Sequence, residues 1–162
     1  MAFFLSMYVL SVLGPIIHLL ILKRKKCSSH RTIEVFLLYQ LIFSVGVTSL
    51  LAFIGLTFLP EYVAEYSGWP ICPFQQELGN VNLSFGILGI LSIWLRGHFW
   101  TATVLGFSIW IFADGIHHIA DIIYNHNYAP GSIGVSLITD LIVPIVLVIL
   151  LILYKTSRHT AT

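Results

Sequence analysis

Five long apolar stretches, separated by short polar segments, dominate the pattern along the chain. A helix that crosses the hydrocarbon core of a bilayer needs about 20 mostly apolar residues in a row. The short connections favour neighbouring antiparallel helices. The pattern therefore predicts an all-α fold, a five-helix transmembrane bundle that forms a single domain over residues 1–162. The five stretches run over about 2–22, 33–59, 74–95, 99–124 and 132–154.

The composition favours a membrane protein and excludes several other classes. Hydrophobic residues make up 57% of the 162 residues and charged residues only 9%, whereas soluble domains have about 25% charged residues. Such a chain cannot cover a soluble surface with polar groups, and it lacks the high charge of disordered proteins. The formal net charge of only +1 argues against a nucleic-acid binder. We therefore expect membrane lipids around the protein.

The basic residues predict the orientation of the bundle. All eight Lys and Arg residues fall on one side if the N-terminus is outside. An excess of Lys and Arg marks the cytoplasmic loops of membrane proteins. We therefore expect the N-terminus outside and the C-terminus in the cytoplasm. The eight residues are Lys23, Arg24, Lys25, Lys26, Arg31, Arg96, Lys155 and Arg158.

The segment 60–73, between the second and third stretches, is predicted to lie along the outer surface. It contains Tyr62, Tyr66 and Trp69, and amphipathic aromatic rings favour the interface between membrane and water. Two roles are open for this segment. It is either an interfacial cap or a lid over a site that lies below it.

Polar residues recur in the outer halves of the last three stretches. Four of them, on the fourth stretch, are spaced at i, i+3, i+4 and i+7 and share one helix face. One acidic residue on each neighbouring stretch lies at similar depth. An ionised carboxylate inside a membrane costs at least about 2.5 kcal/mol, and the outer half has no Lys or Arg to pair with these groups. The six residues are Asp114, His117, His118, Asp121, Glu77 and Asp140.

This combination of side chains predicts a metal site. Imidazole and carboxylate together are the ligands of zinc, iron and manganese sites, and helical spacing of such residues builds metal centres in bundles. We therefore expect a divalent metal ion held by the six residues, with Asn80, Ser84 and Ser136 orienting the ligands through hydrogen bonds. A metal-activated water would allow chemistry on a lipid or another apolar substrate. Whether the protein is an enzyme is left open by the pattern.

Two other interpretations of the polar cluster stay open. Chains of Asp and His relay protons in pumps and transporters, which would make the protein a proton or cation relay or a transporter subunit. The apolar inner halves of the last three stretches argue against that. Alternatively, the cluster only fixes helix packing in a structural or assembly protein, and a homo-oligomer or a partner membrane subunit is compatible with each case. Haem is not expected, because His18 and His98 lie near the inner face and no histidine faces His117 or His118.

Three stretches taken together resemble a known family. They are FQQELGNVNL at 74–83, FWTATVLG at 99–106 leading into 114–121, and APG at 129–131 leading to Asp140 and Pro144. The set is similar to a family of small bacterial multi-spanning membrane proteins of unknown function. The resemblance covers about residues 70–150, and the first two stretches contribute little to it. It implies a bacterial inner-membrane protein and supplies no activity.

Overall fold

The computed structural model describes residues 2–22 and 28–159, and nearly all of them are helical. No β-strand occurs among these residues, so the predicted all-α fold is confirmed. A π-helical segment, Gln40–Val47, joins the second and third α-helices into one continuous helix. The α-helices in the described ranges are α1 (Ala2–Leu22), α2 (Ser29–Tyr39), α3 (Thr48–Phe58), α4 (Pro60–Ser67), α5 (Phe74–Leu91), α6 (His98–Asn125), α7 (Pro130–Ile133) and α8 (Val135–His159).

Three helices within the described residues are long and apolar enough to cross a membrane, whereas the sequence predicted five. They run over Ser29–Phe58, His98–Asn125 and Pro130–Ser157. At most 39% of the most apolar window of each is buried, so most of these apolar side chains face outwards, where lipid would contact them. The other two predicted spans correspond to α1, which has a shorter apolar stretch at Leu5–Ile21, and to α5. Polar residues interrupt the first half of α5.

The connection between α5 and α6 begins earlier than the apolar pattern predicts. The pattern continues to residue 95, whereas α5 ends at Leu91 and the following residues form a turn. Trp100, in the first turn of α6, donates its indole N–H to the carbonyl of Ser92 at 2.9 Å. A hydropathy pattern cannot detect this turn, because the connection contains Trp94 and Leu95, whose side chains resemble those of the apolar helices on either side.

One end of the bundle carries the described basic residues and is called the basic end below. Glu34 forms ion pairs with Arg31 at 2.7 Å and with Arg96 at 2.5 Å. A hydrogen bond of 2.9 Å between His30 and Ser157 ties the beginning of α2 to the last turns of α8. Part of the predicted basic cluster lies outside the described residues, namely Lys23, Arg24, Lys25 and Lys26.

The apolar core lies between the helix Ser29–Phe58, α6 and α8. Its largest fully buried side chain is that of Trp100. In a lipid environment such a core stabilises the bundle by close packing rather than by exclusion of water. The polar residues of α6 and α8 follow beyond this core, towards the end opposite the basic end. The core residues are Leu37, Leu41, Val45, Trp100, Val104, Phe107, Leu147, Leu151 and Tyr154.

Candidate metal site

Three side chains that can ligate a metal ion converge between α6 and α8. Asp114 and His118 lie one helical turn apart on α6, and Asp140 faces them from α8. The Nε2 atom of His118 lies 4.0 Å from Oδ2 of Asp114 and 3.9 Å from Oδ2 of Asp140. One ligand atom from each residue lies within 4.8 Å of the other two. These residues, called the three-residue group below, could hold a metal ion and include three of the six predicted ligands.

The close approach of α8 to α6 at this level depends on Gly115. A Cβ atom at this position would lie 3.0 Å from Cδ2 of Leu141 and 3.3 Å from Cβ of Asp140. A side chain at this position would therefore require Leu141 and Asp140 to shift by a few tenths of an ångström. The glycine lets the carboxylate of Asp140 come near the imidazole of His118, although the two residues are far apart in the sequence.

The imidazole of His118 is buried, with an exposed fraction of 5%. The indole of Trp69 stacks on it, with ring centroids 5.1 Å apart and ring planes inclined by 5°. Its Nδ1 atom has no hydrogen-bond partner, which is true of no other buried side-chain polar atom in the described part of the chain. Such an atom costs about 1–3 kcal/mol when it stays unpaired. The ring thus lacks a polar contact on its Nδ1 side, whereas its Nε2 side faces the two carboxylates.

Asp121, one turn further along α6, has a different environment. Its Oδ2 atom accepts hydrogen bonds from Nε1 of Trp69 at 2.8 Å and from Nδ2 of Asn127 at 2.7 Å. Its Oδ1 atom accepts one from Nδ2 of Asn125 at 2.7 Å. Hydrogen bonds to a charged acceptor are about twice as strong as neutral ones. This predicted ligand is therefore an anchor for the segments around it and lies outside the three-residue group.

Residues 60–73, called the cap below, cover the three-residue group. The carbonyl of Ser67 accepts hydrogen bonds from Nδ2 of Asn127 at 2.8 Å and from Oγ of Ser132 at 3.0 Å. Gly131 packs so closely that a Cβ atom there would lie 2.8 Å from the carbonyl oxygen of Tyr66. The sequence left two roles possible for this segment, an interfacial cap or a lid. In the structure, hydrogen bonds and close packing attach it to the residues that follow α6.

A cavity of about 790 Å³ lies between the cap and the three-residue group. Its lining includes the three-residue group, Ser136 and Thr139. Most of the remaining lining consists of apolar side chains from several helices. Ligand sites in proteins are typically mostly apolar cavities of about 300–1,000 Å³ with a few polar groups, and this cavity has that character. Of the residues that the structure describes, no Lys or Arg belongs to its lining. Apolar residues of the lining are Leu51, Leu56, Val63, Leu78, Phe107, Trp110 and Ile111.

The predicted site residues of α5 lie outside this cavity. Glu77, Asn80 and Ser84 share one face of the helix, as their spacing predicts, but that face is exposed. Leu78 and Asn82 line the cavity instead. Both faces of α5 carry polar residues, so helical periodicity alone could not decide which one faces the site.

Two further predicted residues line the cavity without belonging to the three-residue group. His117 is exposed, and its ring centroid lies 5.5 Å from that of Trp69. Ser136 lies one turn before Asp140 on α8. Both are close enough to the group to contact a molecule bound beside it.

The comparison with protein families shows to which family the chain belongs. The family of unknown function DUF6790 matches residues 1–160. The chain belongs to this family. The match confirms the resemblance to an uncharacterised family and extends it to the first two helices, which contributed little to that resemblance. Comparison with curated proteins and with solved structures gives no match, so the function of this DUF6790 protein has to be inferred from its own residues.

The DUF6790 chain also has a buried row of polar side chains that sequence reasoning missed. Nε2 of Gln40 donates to Oγ of Ser11 at 3.0 Å, and Oγ of Ser44 donates to Oε1 of Gln40 at 2.7 Å. Oγ1 of Thr48 donates to the carbonyl of Ser44 at 2.6 Å. Tyr8 interacts with Thr48 and lines the cavity. These five residues, called the polar column below, had one signal in the sequence, the spacing of four between positions 40, 44 and 48.

Proposed function

We propose that this DUF6790 protein is an integral membrane protein that binds a divalent metal ion through Asp114, His118 and Asp140. The observation that carries the proposal is the convergence of one imidazole and two carboxylates within 4.8 Å. This is a ligand set that suits zinc, iron or manganese. Because no Lys or Arg in the described ranges lines the cavity, a bound cation is the natural counter-charge for the two carboxylates.

The proposal includes a single domain with five membrane crossings and the N-terminus outside. The crossings are α1, the helix Ser29–Phe58, α5, α6 and α8. The apolar stretch Leu5–Ile21 and the position of Arg31 and Arg96 at one end support this arrangement. The metal site then lies in the outer half of the bundle. A bacterial cytoplasmic membrane is the location that the sequence resemblance implies.

The spacing of the ligand atoms supports a bound ion after small side-chain movements. Zinc lies about 2.0–2.2 Å from nitrogen and oxygen ligands, so two ligand atoms of a tetrahedral ion are about 3.4 Å apart. The two distances from Nε2 of His118, 4.0 and 3.9 Å, exceed that separation by about half an ångström. The side chain of Asp114 is 30% exposed and has room to move. Three protein ligands leave a position for water or a substrate, as in catalytic zinc sites.

An ion at this position would supply a Lewis acid and an activated water beside an apolar cavity. The substrate class that fits is a lipid or another apolar molecule, whose reacting atom would lie next to the three-residue group. His117 lines the same cavity outside the group, which makes it the candidate general base. Asp121 is unsuited to that role, because three hydrogen-bond donors hold its carboxylate.

Elemental analysis of the protein purified in mild detergent tests the metal site. We expect about one ion per chain in the wild type and a loss of at least about tenfold in metal affinity in His118→Ala, because ligand removal costs more than the tenfold to hundredfold typical of outer-shell changes. His117→Ala is the matched control, since it removes the neighbouring histidine and leaves the three-residue group complete. The control should keep its metal.

Two results would overturn the metal proposal. One is a wild-type protein that takes up neither zinc, iron nor manganese after reloading. The other is equal metal loss in His117→Ala and His118→Ala, because this would show that the metal content does not depend on the three-residue group.

A proton relay is the second candidate function, and the polar column favours it. The argument against a relay was the apolar inner half of the last three stretches. The column lies elsewhere, between α1 and the helix Ser29–Phe58, where Ser11, Gln40 and Ser44 form a buried hydrogen-bonded series. Asp and His groups joined to such a series are typical of proton pathways in membrane proteins.

Proton flux into phosphatidylcholine vesicles that contain the purified protein and a pH-sensitive dye tests the relay. Ser44→Ala should reduce the flux and leave the metal content unchanged. Ser92→Ala is the matched control, because Ser92 is also buried but its Oγ atom donates to the carbonyl of Leu88, in the last turn of α5, at 3.0 Å. A wild-type flux equal to that of empty vesicles would contradict the relay.

A further inference from the structure

A second, smaller cavity of about 190 Å³ adjoins the first one between α1, the helix Ser29–Phe58 and α8. Tyr8 and Thr139 line both cavities, so the second continues the first from the three-residue group towards the middle of the bundle. Below these two residues it is bounded on the α8 side by apolar side chains. These are Ile138, Ile142, Val143 and Val146, whereas Ser11, Gln40 and Ser44 of the polar column also line the cavity and are hydrogen-bonded to one another.

The second cavity opens on the lateral side of the bundle, which would face lipid in a membrane. Val12, Ile138 and Ile142 line it and are themselves exposed by 48%, 56% and 54%. If α1 and α8 cross the membrane, these three side chains contact lipid tails. The cavity is then a slot that a hydrocarbon chain can enter sideways from the bilayer, and its upper end leads to polar groups.

The charges at the upper end restrict what the polar part of such a molecule can be. Asp114 and Asp140 face the large cavity, and no Lys or Arg among the described residues lines either cavity. The two carboxylates already balance the charge of the proposed divalent ion, so a carboxylate or phosphate at this level would add a negative charge without a basic partner, which is costly in a low-dielectric site. A hydroxyl or amine group can occupy the open position beside the ion without adding negative charge.

We propose that the two cavities together bind a long-chain amphiphile from the bilayer. Its hydrocarbon chain lies in the slot between α1 and α8, and its polar end, an alcohol or amine without negative charge, lies at Asp140 and His118. The inference rests on the proposed function, because it names the substrate class of the same site. His118, whose ring lines the large cavity, has a buried Nδ1 atom without a hydrogen-bond partner among the described residues.

The size of the slot is compatible with part of a hydrocarbon chain. An apolar protein cavity of about 150 Å³ holds one benzene ring, so the slot of about 190 Å³ accommodates a somewhat longer apolar segment. The remainder of the chain would extend past the exposed side chains into the bilayer.

Photolabelling in phosphatidylcholine vesicles tests this proposal. The probe is a dodecanol analogue with a diazirine at the end of its chain, and the labelled residues are identified by mass spectrometry. We expect labelling of Ile142 and Val146 that an excess of dodecanol or dodecylamine suppresses and that dodecanoate leaves largely unchanged. A second probe with the diazirine beside the hydroxyl group should label Tyr8 and Ser136.

A pair of variants separates the slot from ordinary lipid contact. Ile142→Trp fills the slot and should reduce the competed labelling of Val146 about tenfold or more, because a change of size in an apolar pocket typically alters binding by about tenfold or more. Ile145→Trp is the matched control, since Ile145 is 50% exposed on the same helix and lies outside the slot lining. The control should label like the wild type.

Each unfavourable outcome overturns a stated part of the inference. Labelling that is spread over all exposed residues and is not reduced by dodecanol would show that no specific chain site exists. Competition by dodecanoate as strong as that by dodecanol would overturn the preference for an uncharged or cationic end. The same experiment on metal-depleted protein separates the two proposals. If dodecanol still suppresses the labelling when no metal is bound, the amphiphile site exists even if elemental analysis finds no metal in the wild type.

Discussion

Two carboxylates in the same half of the bundle, Asp121 and Asp140, have opposite surroundings. Asp121 accepts three hydrogen bonds at 2.7–2.8 Å from Trp69, Asn125 and Asn127. Asp140 accepts no hydrogen bond from a described residue, and its Oδ2 atom lies 3.9 Å from Nε2 of His118. One carboxylate is thus saturated by groups of the protein, whereas the other faces a cavity.

The difference separates a structural role from a role in ligand binding. A buried polar group that has all its partners stabilises one conformation, and its removal leaves the donors unpaired. A group with few partners is costly in the empty protein and becomes favourable when a ligand supplies the missing contacts. Asp121 therefore holds the cap, and the three-residue group below it is the part of the molecule that a cation would complete.

The largest expected effect comes from the same substitution at the two positions. Asp121→Asn should lower the free energy of unfolding by roughly 2–3 kcal/mol, because the three donors lose a charged acceptor and one meets a new N–H group. Asp140→Asn should change the stability of the metal-free protein by less than about 1 kcal/mol, since no close donor loses its partner. Denaturation in detergent micelles, followed by circular dichroism, measures both.

Metal content gives the reverse order for the same pair. Asp140→Asn should lose its ion, and Asp121→Asn should keep it as long as the protein is folded. Equal destabilisation by both substitutions would show that Asp140 is structural as well, and the distinction between the two regions would fail.

The sequence predicted which side chains meet between α6 and α8 better than it predicted the surroundings of the other site residues. Helical spacing placed Asp114 and His118 on one face of a helix, and depth along the neighbouring stretch placed Asp140 near them. Both follow from the regular rise and rotation of an α-helix, so they needed no knowledge of the tertiary structure. The all-α fold and the apolar character of the long helices were predictable for the same reason.

What the sequence could not predict depends on loops and on the rotation of helices. The donors that saturate Asp121 come from the cap and from the residues after α6, whose paths no periodicity determines. Glu77 is exposed and Asn82 faces the cavity because of the way in which α5 is rotated against α3. The polar column was overlooked because Gln40 and Ser44 carry no charge and lie in an otherwise apolar stretch.

Trp69 allows the comparison to be sharpened, because it contacts both regions. Trp69→Phe removes the donor to Asp121 and keeps an aromatic ring over His118, so it should lower the free energy of unfolding by about 1.5 kcal/mol and leave the metal content unchanged. In a protein that already carries Asp121→Asn, the same change should cost much less, because the hydrogen bond is already lost. A double-mutant cycle measures this coupling. Additive effects would mean that Trp69 stabilises the cap through its ring alone.

The smallest expected effect concerns a carboxylate that belongs to neither region. Glu77 was a predicted ligand, yet its side chain lies on the exposed face of α5, outside the cavity lining. Glu77→Gln should therefore leave the metal content unchanged and the free energy of unfolding within about 0.5 kcal/mol of the wild type. Elemental analysis beside Asp140→Asn provides the measurement, with the same loss of one negative charge in each variant. Metal loss in Glu77→Gln would mean that α5 rotates towards the three-residue group when the ion binds, and the ligand set would then include a residue from a third helix.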